Sequence, residues 1–66
     1  MWTKEVSRFN WHYGEVETCC FLEGHVIVET DQEHVTMGKG DFVTFSKDLS
    51  CVWDIKEAVK KYYCFS

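Results

Sequence analysis

No stretch of about ten residues in this chain repeats its apolar side chains at helical spacing, and that limits the fold more than any other feature. What recurs is short runs of strand formers about eight to twelve residues apart, the pattern of an all-β sandwich or barrel. Proline is absent, and glycines at 14, 24, 38 and 40 punctuate the runs. The first segment, Lys4 to Tyr13, reads as extended, with Phe9, Trp11 and Tyr13 on one face at period two. Val16 to Leu22 is a strand, Glu23-Gly24 a tight turn, and His25 to Glu29 the second arm of a hairpin. His34 to Met37, Phe42 to Phe45 and Ser50 to Ile55 are further strands, with a loop at Ser46 to Leu49. Lys56-Glu57 is expected to turn the chain into a last strand, Ala58 to Phe65.

The strand faces predict association. Glu17, Cys19 and Phe21 oppose Thr18, Cys20 and Leu22, and both sets are largely apolar. The last strand likewise divides Val59, Lys61, Tyr63 and Phe65 from Ala58, Lys60, Tyr62 and Cys64. At 66 residues the chain forms one domain, 1–66, and a chain this short buries only about 60% of its unfolded surface. Hydrophobic residues at 45% exceed what one small copy hides, so a homodimer covering an outer face is expected.

Seven basic residues against eleven acidic ones, with no basic run beyond Lys60-Lys61, exclude a phosphate-tracking surface. Nucleic acid and membrane are therefore not expected partners. The start lacks a basic segment followed by an apolar run, so no signal peptide is expected. Adjacent Cys19 and Cys20 point to opposite faces, and no Cys-x-x-Cys pair occurs. Reduced, mostly buried thiols in a cytoplasmic protein are the expectation for the four cysteines.

Three ordered blocks carry a family resemblance. Glu17-Thr18-Cys19-Cys20-Phe21-Leu22-Glu23-Gly24-His25-Val26 resembles the first cupin motif, and Gly40 to Trp53 the second. Val59-Lys60-Lys61-Tyr62-Tyr63 resembles the closing strand of small single-domain cupins related to the ethanolamine-utilisation cupins, some named after ureidoglycine aminohydrolase. Members of that subfamily carry "E-T-C-Y-x-L-E-G", "G-D-L-V-x-F-P-x-G-L-S-C-x-W" and "V-x-K-H-Y". The agreement runs from about Trp2 to Phe65. It implies a small cupin β-barrel, a jelly-roll-like antiparallel sandwich.

The resemblance also implies where metal ligands would stand. Metal-binding cupins place two histidines before the glutamate and a third in the second motif. Counted from Glu17, the first two fall on Asn10 and His12 in one register, or on Trp11 and Tyr13 in the other. The third falls on Cys51, and the subfamily's closing histidine is Tyr62. A cupin metal needs about three nitrogen donors and a carboxylate, whereas this chain offers at best His12, Glu17 and Cys51. No cofactor is expected; the alternative is a metal-dependent cupin enzyme (isomerase, lyase or hydrolase) acting on a small metabolite.

The residues expected to surround a ligand are Trp11, Tyr13, Glu17, Cys19, Cys51, Trp53 and Tyr63, aromatic walls with few polar groups. Arg8, the sole arginine, could hold a carboxylate bidentately at the barrel mouth, or sit solvated at an edge. His25 and His34 read as solvent-facing strand residues, and Cys51 or Cys19 with His12 as base lacks what a reactive thiol needs. Glu17 is the oddest residue, because a carboxylate among Cys19, Phe21 and Trp53 requires a partner or a polar cavity. The leading expectation is a barrel that binds a small polar or carboxylate-bearing metabolite without metal catalysis. The remaining one is a non-catalytic dimer whose aromatics simply fill the barrel.

Overall fold

Period-two alternation over two long segments sets the frame. The computed structural model describes residues 1–65, with six strands and no helix. They are β1 (Trp2–Lys4), β2 (Ser7–His12), β3 (Glu17–Glu29), β4 (His34–Gly38), β5 (Phe42–Phe45) and β6 (Ser50–Phe65). Every pairing is antiparallel. The all-β expectation holds. Among the described residues no helix is long and apolar enough to cross a membrane.

β3 and β6 form the central pair, and each is bordered by two short strands. The first half of β3 pairs with β5 and with the end of β6, whose other edge carries β1. The second half of β3 pairs with β4 and with the start of β6, bordered by β2. Register shifts between Phe21 and Val26 bend the central pair, folding the sheet into two facing layers. Trp53 in one layer meets Trp2, Phe21 and Phe45 of the other at ring-centroid distances of 5.7, 6.1 and 5.9 Å. The core between them is completed by Ile55, Val26, Val59 and Cys19.

Two expected turns are corrected. Glu23-Gly24 is no hairpin: β3 continues through it with a bend, and His25 to Glu29 belongs to the same strand. Lys56-Glu57 is likewise inside β6. The glycine marks a bulge, with Gly24 at φ +101°. The backbone of Ala58 and Val59 presses on it so closely that a Cβ there would lie 2.7 Å from the Val59 Cα. The segment Lys4 to Tyr13 is also interrupted, at Glu5 and Val6, which lets β1 and β2 attach to different halves of β6. The expected strands at β4 and β5 and the loop at Ser46 to Leu49 are as read.

Candidate functional site

Alternation decides what faces the interior. On β2, Phe9 and Trp11 pair with Trp53 and Cys51 and turn inward, so Arg8, Asn10 and His12 turn outward. Beyond β2, the Tyr13 N–H donates to the Leu49 carbonyl (2.9 Å), and the Asp48 N–H donates to the Tyr13 carbonyl (2.7 Å). These bonds drive the Tyr13 ring inward, where it stacks on Phe45 at 4.7 Å. Of the two possible registers, the inward one thus carries Trp11 and Tyr13.

Between the layers lies a cavity of about 210 Å³. Trp2, Phe9, Trp11, Tyr63 and Phe65 wall it, and Tyr13, Trp53, Glu17 and Lys61 complete its lining. Trp11 and Phe65 are about half exposed (49% and 50%), so the walls open to solvent. Glu17 and Lys61, by contrast, are 4% and 5% exposed.

Those two form an ion pair. The Lys61 Nζ donates to Glu17 Oε2 at 2.7 Å and to the Cys19 sulfur at 3.3 Å. The Cys19 thiol donates to the same carboxylate oxygen at 2.7 Å. Lys61 Nζ also lies 4.8 Å from the Trp2 ring centroid and 4.6 Å from that of Trp53, within reach of both π faces. A buried lysine is tolerable here because a carboxylate and two indoles replace its hydration. Burial, and next the bond to Glu17, pushes the Cys19 thiol from 9.0 up to about 12. Burial, reinforced by the Glu17 charge, pushes the Tyr13 hydroxyl far up as well, so it stays a proton donor. Neither the Tyr13 hydroxyl nor the Trp53 indole N–H has a hydrogen-bond partner within the protein.

Five of the expected residues meet at this cavity: Trp11, Tyr13, Glu17, Trp53 and Tyr63. Cys19 lies beneath it, bonded to Glu17. Cys51 is buried on the inward face beside Trp11 but lines a separate, more open depression with His12 and Asn10. Burial raises its thiol pKa, which suits an inert side chain. Arg8 is not at the cavity. It clasps Glu29 from the outer face at 2.6 and 2.9 Å and reaches Asp54 at 3.3 Å, so its bidentate fork is already filled. That contact raises the Arg8 pKa and holds the Glu29 carboxyl below its usual range.

The residues do not fit a cupin metal. His12 faces outward and shares a 2.8 Å hydrogen bond with Ser50, on the opposite face from Glu17. The inward positions of that strand region hold an indole and a phenol, neither a nitrogen ligand. Among the described residues, no three His, Cys, Asp or Glu side chains converge. The carboxylate that would face a metal instead holds an ammonium. His25 and His34 do not meet: His25 pairs with Gly38, and His34 with Glu29.

Lys61 is the residue that sequence reasoning missed, because a lysine on a strand reads as solvated. A signal was present all the same. The subfamily patterns "E-T-C" and "V-x-K" align their Glu, Cys and Lys with Glu17, Cys19 and Lys61, the three groups that meet below the cavity.

Residues 1–63 match the EutQ-like cupin domain family. A DUF861 family protein of Thermotoga maritima, whose crystal structure is known, is 47% identical over 98% of this chain and 75% of its own, with a TM-score of 0.96. The EutQ protein of Clostridium difficile superposes with a TM-score of 0.86 at 14% identity, covering 96% of this chain and 50% of that one. A putative ethanolamine utilization protein Q of Salmonella typhimurium gives 0.85 at 22% identity, covering 96% and 51%. The likeness to these two is one of fold, and this chain spans about half their length. No curated protein matches.

Proposed function

This chain belongs to the EutQ-like cupin domain family, and from that premise we propose that it binds one small organic molecule bearing a carboxylate or carbonyl group, without a metal. The observation that carries this reading is the buried Lys61–Glu17 pair in an open, aromatic-walled cavity. Lys61 supplies the positive charge inside the barrel. An ammonium has three N–H donors, of which Glu17 and Cys19 engage two. The Tyr13 hydroxyl and the Trp53 N–H are buried among the aromatic rings rather than exposed to the cavity, so Lys61 is the donor a ligand meets. The third Lys61 N–H is left for a ligand, so one that accepts hydrogen bonds is favoured.

The walls select the rest of the molecule. Indole and phenyl faces favour a flat or aliphatic body, and the volume equals roughly seven waters at about 30 Å³ each. A cationic ligand is disfavoured, because Lys61 already sits against the Trp2 and Trp53 rings. The cavity weighs against a barrel whose aromatics pack solid. Ethanolamine metabolism is not assigned, since the EutQ likeness speaks only for fold.

Paired probes test the reading: benzoate with benzylamine, and phenylacetate with phenethylamine, followed by thermal shift and tryptophan fluorescence. The acids are expected to raise the melting temperature and quench Trp53, and the amines to do neither. Equal response to acids and amines, or none to any, overturns the proposal.

A further inference from the structure

Beyond holding a ligand, the site has the parts for covalent chemistry. We propose that Lys61 forms a reversible imine with a small aldehyde or ketone in the cavity, making the protein a carbonyl-capturing one. The inference rests on the binding proposal, because the carbonyl compound must enter the same space.

Of the six lysines, Lys61 alone is buried, and it lines the cavity. Lys4, Lys39, Lys47 and Lys56 are exposed and Lys60 is half-buried. An amine attacks a carbonyl only when neutral, so its proton needs an acceptor within reach. Glu17 Oε2 is that acceptor, at 2.7 Å from Nζ. Amines in apolar surroundings are the ones enzymes use for this reaction.

The step balances with the residues present. Glu17 takes a proton from the Lys61 ammonium, and the freed lone pair forms the N–C bond to the carbonyl carbon. The C=O π electrons move to oxygen. A proton passes from the now cationic nitrogen to that oxygen to give a neutral carbinolamine, with Glu17 still holding the proton it took. Glu17 then returns a proton to that hydroxyl, which leaves as water as the nitrogen lone pair forms C=N. The product iminium keeps its charge on the same nitrogen, still facing the carboxylate and the Trp2 and Trp53 rings. Its remaining N–H can still donate to Glu17. Addition of water reverses the sequence, so no oxidant or reductant is consumed.

The test combines a covalent and a non-covalent probe on the intact chain. Wild type is treated with benzaldehyde and sodium cyanoborohydride at about pH 7, and the trapped amines are mapped by peptide mass spectrometry. Benzoate binding is followed in parallel by tryptophan fluorescence. Lys61 is expected to be trapped roughly tenfold or more faster than Lys60, because the bound carbonyl is held beside it. Excess benzoate should suppress that trapping and leave surface lysines unaffected. Lys61→Arg removes the primary amine, so it should lose the selective adduct while labelling of the surface lysines is unchanged. Benzoate binding with labelling that merely follows exposure overturns the imine and leaves the binding proposal standing. Failure of both overturns both. If Lys61→Arg does not fold, benzoate protection of wild type decides alone.

Discussion

Glu17 and Lys61 stand on neighbouring strands but not opposite one another. Glu17 pairs with Phe65 and Lys61 with Phe21, so the lysine stem reaches across the Cys19 row to the carboxylate. Removing one charge strands the other in an apolar setting, whereas removing both leaves a packable space. Lys61→Met is accordingly expected to destabilise the fold by about 3–5 kcal/mol in urea unfolding. The double variant Glu17→Leu/Lys61→Met should recover most of that loss. A double variant no better than the single would show that the pair is held by something other than mutual charge compensation. Cys19 gives a second prediction at this scale. Its thiol is held protonated to about 12 in the fold, against 9.0 ordinarily. A raised folded value adds stability that is complete below about pH 9 and is lost as pH climbs towards 12. Iodoacetamide at neutral pH should modify exposed Cys64 first and leave buried Cys19 and Cys51 intact. Early labelling of Cys19 in folded protein would contradict the buried cluster.

The bend of β3 and β6 is what makes a cavity out of a sheet. Two unbroken strands carry both layers, and the change of direction is concentrated between Phe21 and Val26, opposite Ala58 and Val59. Gly24 is required there twice over, by its positive φ and by the backbone against its α-carbon. Gly24→Ala is expected to cost about 2–4 kcal/mol in chemical denaturation, since strain and close approach add. Gly14→Ala, where no atom lies within 4 Å of an added Cβ, is the control and should be near neutral. Similar losses at both positions would mean that the bend does not depend on Gly24.

The two outer faces of the molecule differ in character. Behind β2, β6 and β3 the surface carries ion pairs: Arg8 with Glu29 and Asp54, and Lys56 with Asp54. Behind β5, β3 and β6 it presents the row Phe42, Cys20, Tyr62 and the row Thr44, Thr18, Cys64, with no charge among them. Phe42 is 74% exposed and Tyr62 55%. An uncharged face on a chain of net charge −4 is where a second copy meets the least repulsion, and a homodimer through it is proposed. Sedimentation should show a dimer for wild type and a monomer for Phe42→Lys/Tyr62→Lys, with the cavity and its ligand binding retained. A wild-type monomer at tens of micromolar would remove the proposal.

How much of this was legible in the chain depends on the range of the interaction that decides it. Strand identity, the all-β class and which side chains share a face follow from period-two alternation, a local property, and the three motif blocks name the family from the same residues. Glu17 is conspicuous from sequence alone because an acid in an apolar strand demands a partner. Its partner is not, since Lys61 stands 44 positions away and reads locally as a solvated strand residue. The turns expected at Glu23-Gly24 and Lys56-Glu57 went the same way. A glycine or a polar pair signals a break in regularity, and only pairing with a distant strand decides between a reversal and a bulge. Arg8 as well looks available until Glu29 and Asp54 are brought beside it. Alternation determined which side chains share a face, and the pairing with β6 decided which face turns inward. Which of them meet, and with what charge, was decided by the bend that lays one half of the sheet over the other.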